Sequence, residues 1–182
     1  MNMKSQMVLN LGEINMQIKN LLLRYKAIEF GDFTLSSGQK SNYYVDVKTA
    51  LTHPELLDVV ARKINSMRTF DVVAGVAVGG IPLAVAISTI SAKPYVIIRK
   101  EKKDHGKSGM IIGNDVKNKD VLLVEDVTTS GSSALYGVDA LRDAGANIHT
   151  VITVVDREQG ADYFLKKEGV TLISLVKISE VL

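Results

Sequence analysis

Several residue types are scarce in this chain of 182 residues, and each scarcity excludes a class of protein. The chain has no cysteine, which excludes disulfide bonds, thiolate catalysis and cysteine-ligated metals, and which fits a cytoplasmic protein. Its three histidines show no metal-ligand spacing. The formal net charge of only +2 is too small to indicate nucleic-acid binding by itself.

The composition is otherwise that of an ordinary globular domain. Hydrophobic residues make up 46% of the chain and charged residues 23%, so extensive disorder is not expected. A chain of this length can bury one full hydrophobic core, and we expect a single domain over residues 1–182. The beginning of the chain lacks the continuous apolar core and small-residue cleavage site of a signal peptide.

A stretch without charged residues, 72–92, is long enough to cross a bilayer. Gly75, Gly79, Gly80 and Pro82 interrupt it. We therefore interpret it as a strand, a glycine turn and a buried helix, and we expect no membrane partner.

Apolar runs of strand length alternate with helical stretches over most of the chain. The runs are rich in β-branched residues and read DVVAGVAV, PYVIIR, DVLLVED, HTVITVVD and VTLISLV. Helical spacing follows several of them, at residues 81–91, 132–144 and 159–168. This alternation predicts an α/β fold with a parallel sheet and helices on both of its faces.

The first fifty residues do not share this alternation. Residues 11–26 have helical spacing, and short strands are expected around 33–35 and 43–46, so we predict a helix and a small hood over one end of the sheet. Thr52 and Glu55 then have the spacing of a capping box for the helix that follows.

The strongest functional signal is the segment VLLVEDVTTSGSSA, residues 121–134. A buried strand, predicted at residues 121–124, presents Glu125 and Asp126 at its carboxyl end, and a loop of small hydroxyl residues and Gly131 leads directly into a helix. Free amides at a helix start bind anions, whereas paired carboxylates suit the hydroxyl groups of a sugar better than a polyphosphate. The segment therefore indicates a site for a ribose 5-phosphate, and the alternative is an ordinary turn with capping serines and a solvated acidic pair.

A second signal is the basic segment RKEKKDHGKSG, residues 99–109. It follows the strand before the acidic pair, and parallel strands place both segments at the same end of the sheet. Such a loop could close over a pyrophosphate and neutralise its charge. The alternative is a solvated charged loop; nucleic acid is not expected, because no aromatic residues interleave with the charges.

Together these segments resemble type I phosphoribosyltransferases, and R-K-x-x-K-D-H-G resembles the loop of their orotate-specific branch. The resemblance runs from about Phe30 to Arg157 and implies a phosphoribosyltransferase fold. The implied reaction joins orotate to phosphoribosyl pyrophosphate with magnesium, in pyrimidine biosynthesis. It gives orotidine 5-monophosphate and pyrophosphate. The magnesium would be held mainly by substrate and water.

The resemblance also implies roles for individual residues. Lys103 and His105 would be catalytic, and the basic loop would reach the neighbouring subunit of a homodimer. Thr129 and Arg157 would bind orotate. Phosphoribosyl pyrophosphate would be bound by Arg99, Lys100, Lys103, His105, Glu125, Asp126, Val127, Thr128, Thr129, Ser130, Gly131, Ser132 and Ser133.

Two positions depart from the family pattern. Many bacterial members carry lysine where Gly79 and Ser36 stand, so these positions supply no positive charge here. The segment around Gly79 could contact an anion through its amides, or it could be a tight packing turn. Tyr43 and Tyr44 could line the base pocket or pack the hood.

Alternatives remain for Arg157 and for the function. Arg157 could form a surface salt bridge with Asp156 or Glu158 rather than bind a carboxylate. The chain could act on another base, or it could be a non-catalytic regulator that senses phosphoribosyl pyrophosphate. A regulator should carry a nucleic-acid-binding element, and no such element is recognisable in the sequence.

Overall fold

A computed structural model describes residues 11–34, 38, 40–99 and 110–182. The core is a six-stranded sheet in the order β5-β4-β3-β6-β7-β8. Five strands are parallel: β3 (Val72–Val76), β4 (Tyr95–Ile98), β6 (Asp120–Thr128), β7 (Asn147–Asp156) and β8 (Thr171–Lys177). The predicted parallel α/β sheet is thereby confirmed.

The sequence reading missed the edge strand β5, Ile111–Gly113, which pairs antiparallel with β4. Three residues are too few for a recognisable alternating pattern. The predicted basic segment lies between these two strands, and the backbone N–H of Arg99 donates to the carbonyl of Met110 at 2.9 Å. Residues 99 and 110, at the two ends of that segment, are therefore neighbours at the edge of the sheet.

Helices cover both faces of the sheet, as the sequence predicts. On one face, α1 (Leu11–Arg24), α3 (Pro54–Met67) and α4 (Gly80–Ser91) enclose a core that includes Ile18 and Leu122. On the other, α5 (Ser132–Asp143) and α6 (Ala161–Lys167) pack over Leu123 and its neighbours. Alternate residues of β6 thus point to opposite, equally apolar faces.

The amino-terminal region divides between the core and a separate small sheet. Helix α1 packs against α3 and β8, so it belongs to the helical layer of the core. Strands β1 (Ile28–Thr34) and β2 (Lys40–Val45) form an antiparallel pair outside the main sheet, and we call this pair the hood. A four-residue helix, α2 (Val47–Ala50), links the hood to the core and contacts β6.

The interpretation of residues 72–92 is confirmed, because β3 and α4 occupy this stretch with a glycine turn between them. In the part of the chain that the structure describes, no helix is long and apolar enough to cross a membrane. The predicted capping box is wrong. The hydroxyl of Thr52 donates to the carbonyl of Thr49, and Glu55 instead accepts a hydrogen bond from Tyr25, directly after α1, at 2.6 Å.

Candidate active site

A cavity of about 460 Å³ lies at the carboxyl end of β6, where this strand turns into α5. The turn, residues 129–131, is called the β6–α5 loop below. Seven of the sequence-predicted residues line the cavity, together with Ala134 and Tyr136: Val127, Thr128, Thr129, Ser130, Gly131, Ser132 and Ser133. The hydroxyl-rich segment identified in the sequence is therefore a concave surface rather than a flat turn.

Gly131 shapes the entry into α5. Its φ of +84° lies in the left-handed region, and a Cβ atom there would come within 3.0 Å of Cα of Ala161 on α6. Only glycine combines that backbone angle with that close approach. The helix begins directly afterwards at Ser132, so the N–H groups of its first turn face the cavity end without partners from the helix ladder. A helix start of this kind attracts anions.

The acidic pair lies within β6, which continues to Thr128 rather than ending before the pair. The Glu125 side chain is buried, with 3% of the residue exposed, and Asp126 is half-buried. Neither lines the cavity of the β6–α5 loop; both directly precede it in the strand. Burial raises the pKa of Asp126, and hydrogen bonds from the backbone N–H groups of Val127 and Asp126 oppose that rise.

Gly79 explains how the Asp126 carboxylate is accommodated. A Cβ atom on Gly79 would lie 2.2 Å from Cγ of Asp126, so the carboxylate occupies the space that any side chain at position 79 would need. The glycine turn before α4 is thus packed against the acidic pair. Of the two interpretations from the sequence, a tight packing turn describes this contact.

Helix α2 adds two charged residues that the sequence reading missed. Asp46 caps α2, accepting hydrogen bonds from Thr49, and forms a 2.9 Å ion pair with Lys48. Burial would raise the pKa of Asp46, but the hydrogen bonds from Lys48 and Thr49 lower it overall. The hydrogen bond to Asp46 raises the pKa of Lys48, and the charge of Asp126 raises it further. No local pattern joins residues 46–48 to residue 126, so only the tertiary fold could reveal this cluster.

Arg157 lies at the end of β7, beside the β6–α5 loop. The last paired residues of the two strands are Thr128 and Asp156, and their side chains share a 3.1 Å hydrogen bond. The backbone N–H of Arg157 donates to the carbonyl of Thr128 at 2.9 Å. These contacts place Arg157 next to Thr128, the residue that precedes the β6–α5 loop.

The salt bridge considered for Arg157 does not occur within the described residues. Asp156 accepts hydrogen bonds from Thr128 and from the backbone N–H of Glu158, and Glu158 accepts one from the backbone N–H of Ser179. The guanidinium of Arg157 instead lies against the ring of Tyr43, with 5.4 Å between its carbon atom and the ring centroid.

A second cavity, of about 800 Å³, lies between the hood and Arg157 and is called the hood cavity below. Lys40 and Arg157 supply two cations, and Asp32 is the only carboxylate among the described residues that line it. The described residues that line it are Asp32, Phe33, Lys40, Ser41, Asn42, Tyr43, Arg157 and Gln159. Tyr43 therefore lines a cavity, whereas Tyr44 packs against Phe33 within the hood.

The basic segment begins next to the cavity of the β6–α5 loop. The hydroxyl of Tyr136, which lines that cavity, donates to the carbonyl of Arg99 at 2.8 Å. Both ends of the segment are therefore on the same side of the molecule as the acidic pair. Lys100, Lys103, His105 and Ser36 lie outside the described residues.

A magnesium ion at this site would need oxygen ligands. Among residues 11–34, 38, 40–99 and 110–182, no group of three or more histidine or acidic side chains could enclose a metal ion. Magnesium often keeps several waters and is completed by substrate phosphates, with few protein ligands. Two carboxylates beside an anion-binding helix start fit an ion that arrives with a phosphorylated substrate.

Known proteins share this arrangement over nearly the whole chain. The phosphoribosyl transferase domain matches residues 46–179. An orotate phosphoribosyltransferase from Methanocorpusculum labreanum is 60% identical over 166 residues, which cover 91% of this chain and 98% of that protein. One from Methanoculleus marisnigri is 57% identical over 165 residues, covering 91% and 96%.

A solved structure gives the same result. The orotate phosphoribosyltransferase of Mycobacterium tuberculosis, in complex with 5-phospho-α-D-ribosyl 1-diphosphate, superposes with a TM-score of 0.77 at 31% identity. The match covers 92% of this chain and 98% of that one. Fold and relatives agree, and the chain belongs to the orotate branch of the phosphoribosyltransferase family.

Proposed function

We propose that this protein transfers the phosphoribosyl group of phosphoribosyl pyrophosphate to orotate, giving orotidine 5-monophosphate and pyrophosphate. The observation that carries this proposal is that two cavities, the one at the β6–α5 loop and the hood cavity, lie at the adjacent ends of β6 and β7. One begins at a helix start suited to a phosphate, and the other contains the guanidinium of Arg157. The Thr128–Asp156 and Thr128–Arg157 hydrogen bonds fix the strand ends between them.

The β6–α5 loop is proposed to hold the ribose 5-phosphate. Amides at the start of α5 and the hydroxyls of Thr128 to Ser133 are the donors that a phosphate monoester needs. Glu125 and Asp126 would accept hydrogen bonds from the ribose 2- and 3-hydroxyls. Asp126 must be ionised to accept these hydrogen bonds as a carboxylate. Burial raises the pKa of Asp126, but the positive charge of Lys48 opposes that rise and so favours the ionised form.

Orotate is proposed to bind in the hood cavity through its carboxylate. A guanidinium can grip a carboxylate by two parallel hydrogen bonds, and Arg157 has no carboxylate partner within the described residues. Thr129, in the β6–α5 loop, would contact orotate on the side of the ribose. Lys40 adds a second positive charge to the same cavity.

The reaction proposed is a displacement at the anomeric carbon of the ribose. A ring nitrogen of orotate gives up its proton to water or to pyrophosphate and forms the new bond as the bond to pyrophosphate breaks, and pyrophosphate leaves with the bonding electrons. The protein holds both reactants in line and stabilises the departing charge. Magnesium, held by substrate and water, would neutralise part of that charge.

The residues that would stabilise pyrophosphate come from the basic segment. Arg99, Lys103 and His105 are proposed to act on the neighbouring subunit of a homodimer, and Lys100 within its own subunit. Lys103 is the leading candidate for the chemical step. Support comes from the family pattern in residues 99–106 and from the position of Arg99 beside Tyr136. We also propose that the protein is a single domain working in the cytoplasm.

A substrate panel tests the function. The protein is mixed with magnesium, phosphoribosyl pyrophosphate and one base at a time (orotate, uracil, adenine, guanine or hypoxanthine), and released pyrophosphate is measured. We expect release with orotate far above that with any other base. Release with a purine alone would reassign the base, and no release with any base, despite binding of phosphoribosyl pyrophosphate, would favour a regulator.

A further inference from the structure

Arg157, directly after β7, is held by a ring rather than by a carboxylate among the described residues. Its side chain is half-buried, its Nε atom is buried, and this atom makes no hydrogen bond within the described residues. The contact recorded for the guanidinium is the face of the Tyr43 ring, 5.4 Å from centroid to carbon. That distance falls within the range of about 6 Å over which a ring attracts a cation.

The difference between a ring and a carboxylate as a partner matters for binding. A carboxylate would occupy two N–H donors of the guanidinium and cancel its charge. A ring attracts the cation through its face, so the N–H groups at the guanidinium edge stay available. The two nearest acidic residues in the chain, Asp156 and Glu158, hold backbone or hydroxyl donors instead.

The position of Tyr43 is itself fixed by its strand. Tyr43 pairs with Phe30 across the hood, next to an irregularity in the register between Phe30 and Phe33. The hydroxyl of Ser41 donates to the carbonyl of Tyr43 at 2.7 Å and accepts from its N–H at 3.3 Å. The hood therefore presents the ring to the guanidinium of Arg157, and both residues line the hood cavity.

We propose that Tyr43 is a positioning residue that holds the Arg157 guanidinium by its ring face and so sets the preference for a base that carries a carboxylate. This inference rests on the proposed function of the hood cavity. It assigns to the hood a part in choosing the base as well as in covering it. The tyrosine hydroxyl is not required, because the interaction uses the ring face.

Two substitutions separate the ring from the hydroxyl. Tyr43→Leu removes the aromatic face, and Tyr43→Phe keeps it. For Tyr43→Leu we expect KM for orotate to rise about threefold to tenfold, the range of a partly desolvated cation–π contact, with KM for phosphoribosyl pyrophosphate little changed. Tyr43→Phe should behave like the unaltered protein.

The matched control is another tyrosine–cation pair, whose tyrosine is not among the described residues that line either cavity. Tyr163 on α6 has the ammonium of Lys167 4.4 Å from its ring centroid and is exposed. Tyr163→Leu should leave both KM values unchanged. Thermal melting of each variant reports whether it is folded. If Tyr43→Leu is not folded, Tyr43→Phe still tests whether the ring without its hydroxyl is sufficient.

A double substitution shows whether Tyr43 acts through Arg157. In an Arg157→Ala background, Tyr43→Leu should add no further rise in KM for orotate, because the group that it positions is gone. Additive effects would overturn the inference, as would an unchanged KM in Tyr43→Leu or an equal loss in Tyr43→Phe. Absence of orotidine 5-monophosphate from the unaltered protein would instead refute the proposed function, so the two failures are distinguishable.

Discussion

The β6–α5 loop and the hood cavity lie side by side but are built in different ways. The loop, its strand and its helix are continuous in the sequence, and the residues that line its cavity run from Val127 to Tyr136. The hood cavity joins residues of β1 and β2 to residues that follow β7. The residues of the phosphate site therefore come from one short segment of the sequence, whereas the base site depends on how distant segments pack.

The same contrast appears in how the charged residues are held. At the loop, Asp126 is confined by packing against Gly79 in the glycine turn. In the hood cavity, Arg157 is held by a ring from another part of the chain. Close packing makes the first site sensitive to added volume, and the second site should be sensitive to loss of one aromatic face.

The largest effect on activity is expected in the basic segment. The β6–α5 loop and the hood cavity are both proposed to bind substrate rather than to act in the chemical step. Lys103→Ala should lower kcat about 10²- to 10³-fold, the usual loss when one group that stabilises developing charge is removed, with smaller changes in KM for orotate. Lys102→Ala, from the same basic segment, is the control. Unchanged turnover in Lys103→Ala would remove its catalytic role.

A pair of substitutions tests the acidic residue at the loop. Asp126→Asn should weaken binding of phosphoribosyl pyrophosphate about tenfold to a hundredfold, because a charged acceptor of ribose hydroxyls is lost. Isothermal titration calorimetry measures this change. Undiminished affinity would exclude Asp126 from the ribose site.

Stability should move in the opposite direction from binding. Burial raises the pKa of Asp126, so the stabilisation from this carboxyl is present below its ordinary pKa and is lost as the pH rises through the raised pKa. At neutral pH, Asp126→Asn should therefore have an unchanged or higher Tm. Asp156→Asn should lower Tm instead, because the buried Asp156 carboxylate accepts hydrogen bonds from Thr128 and Glu158.

A smaller effect is expected at the glycine turn, where two neighbouring glycines differ in what they face. A Cβ atom on Gly79 meets the movable carboxylate of Asp126, whereas one on Gly80 would come within 2.6 Å of the backbone carbonyl of Val124. Gly79→Ala should weaken binding of phosphoribosyl pyrophosphate up to about tenfold with little change in Tm, since a side chain can turn away more cheaply than backbone can shift.

Gly80→Ala should instead lower Tm, because backbone would have to move. Differential scanning fluorimetry and titration with phosphoribosyl pyrophosphate separate the two outcomes. A fall in Tm for Gly79→Ala equal to that of Gly80→Ala would show that the turn is a packing element without special relation to Asp126.

Local chemistry explains which parts of this structure could be predicted from the sequence. The β6 segment combined a buried run, an acidic pair, Gly131 and a helix start, and each of these features is determined by neighbours in the chain. The alternation of strands and helices could be predicted as well, because parallel strands buried on both faces are continuously apolar. The strands and helices of these parts were confirmed. The exception is the end of β6, which lies at Thr128 and therefore further along the chain than predicted.

Tertiary contacts explain what could not be predicted. Thr52 and Glu55 had the right spacing for a capping box, but Tyr25, directly after α1, competes for the Glu55 carboxylate. Lys48 stands in an unremarkable stretch, and only the packing of α2 against β6 brings its charge near Asp126. The Tyr43–Arg157 contact likewise joins two segments that share no pattern.

The central claim is that the carboxyl end of β6 holds ribose 5-phosphate, and one crystal structure with phosphoribosyl pyrophosphate and magnesium tests it most directly. The account predicts the 5-phosphate against the amides and hydroxyls of residues 128–133, with a ribose hydroxyl within hydrogen-bonding distance of the Asp126 carboxylate. A ligand bound with its 5-phosphate elsewhere, and with Asp126 still folded over Gly79 and contacting no sugar, would contradict it.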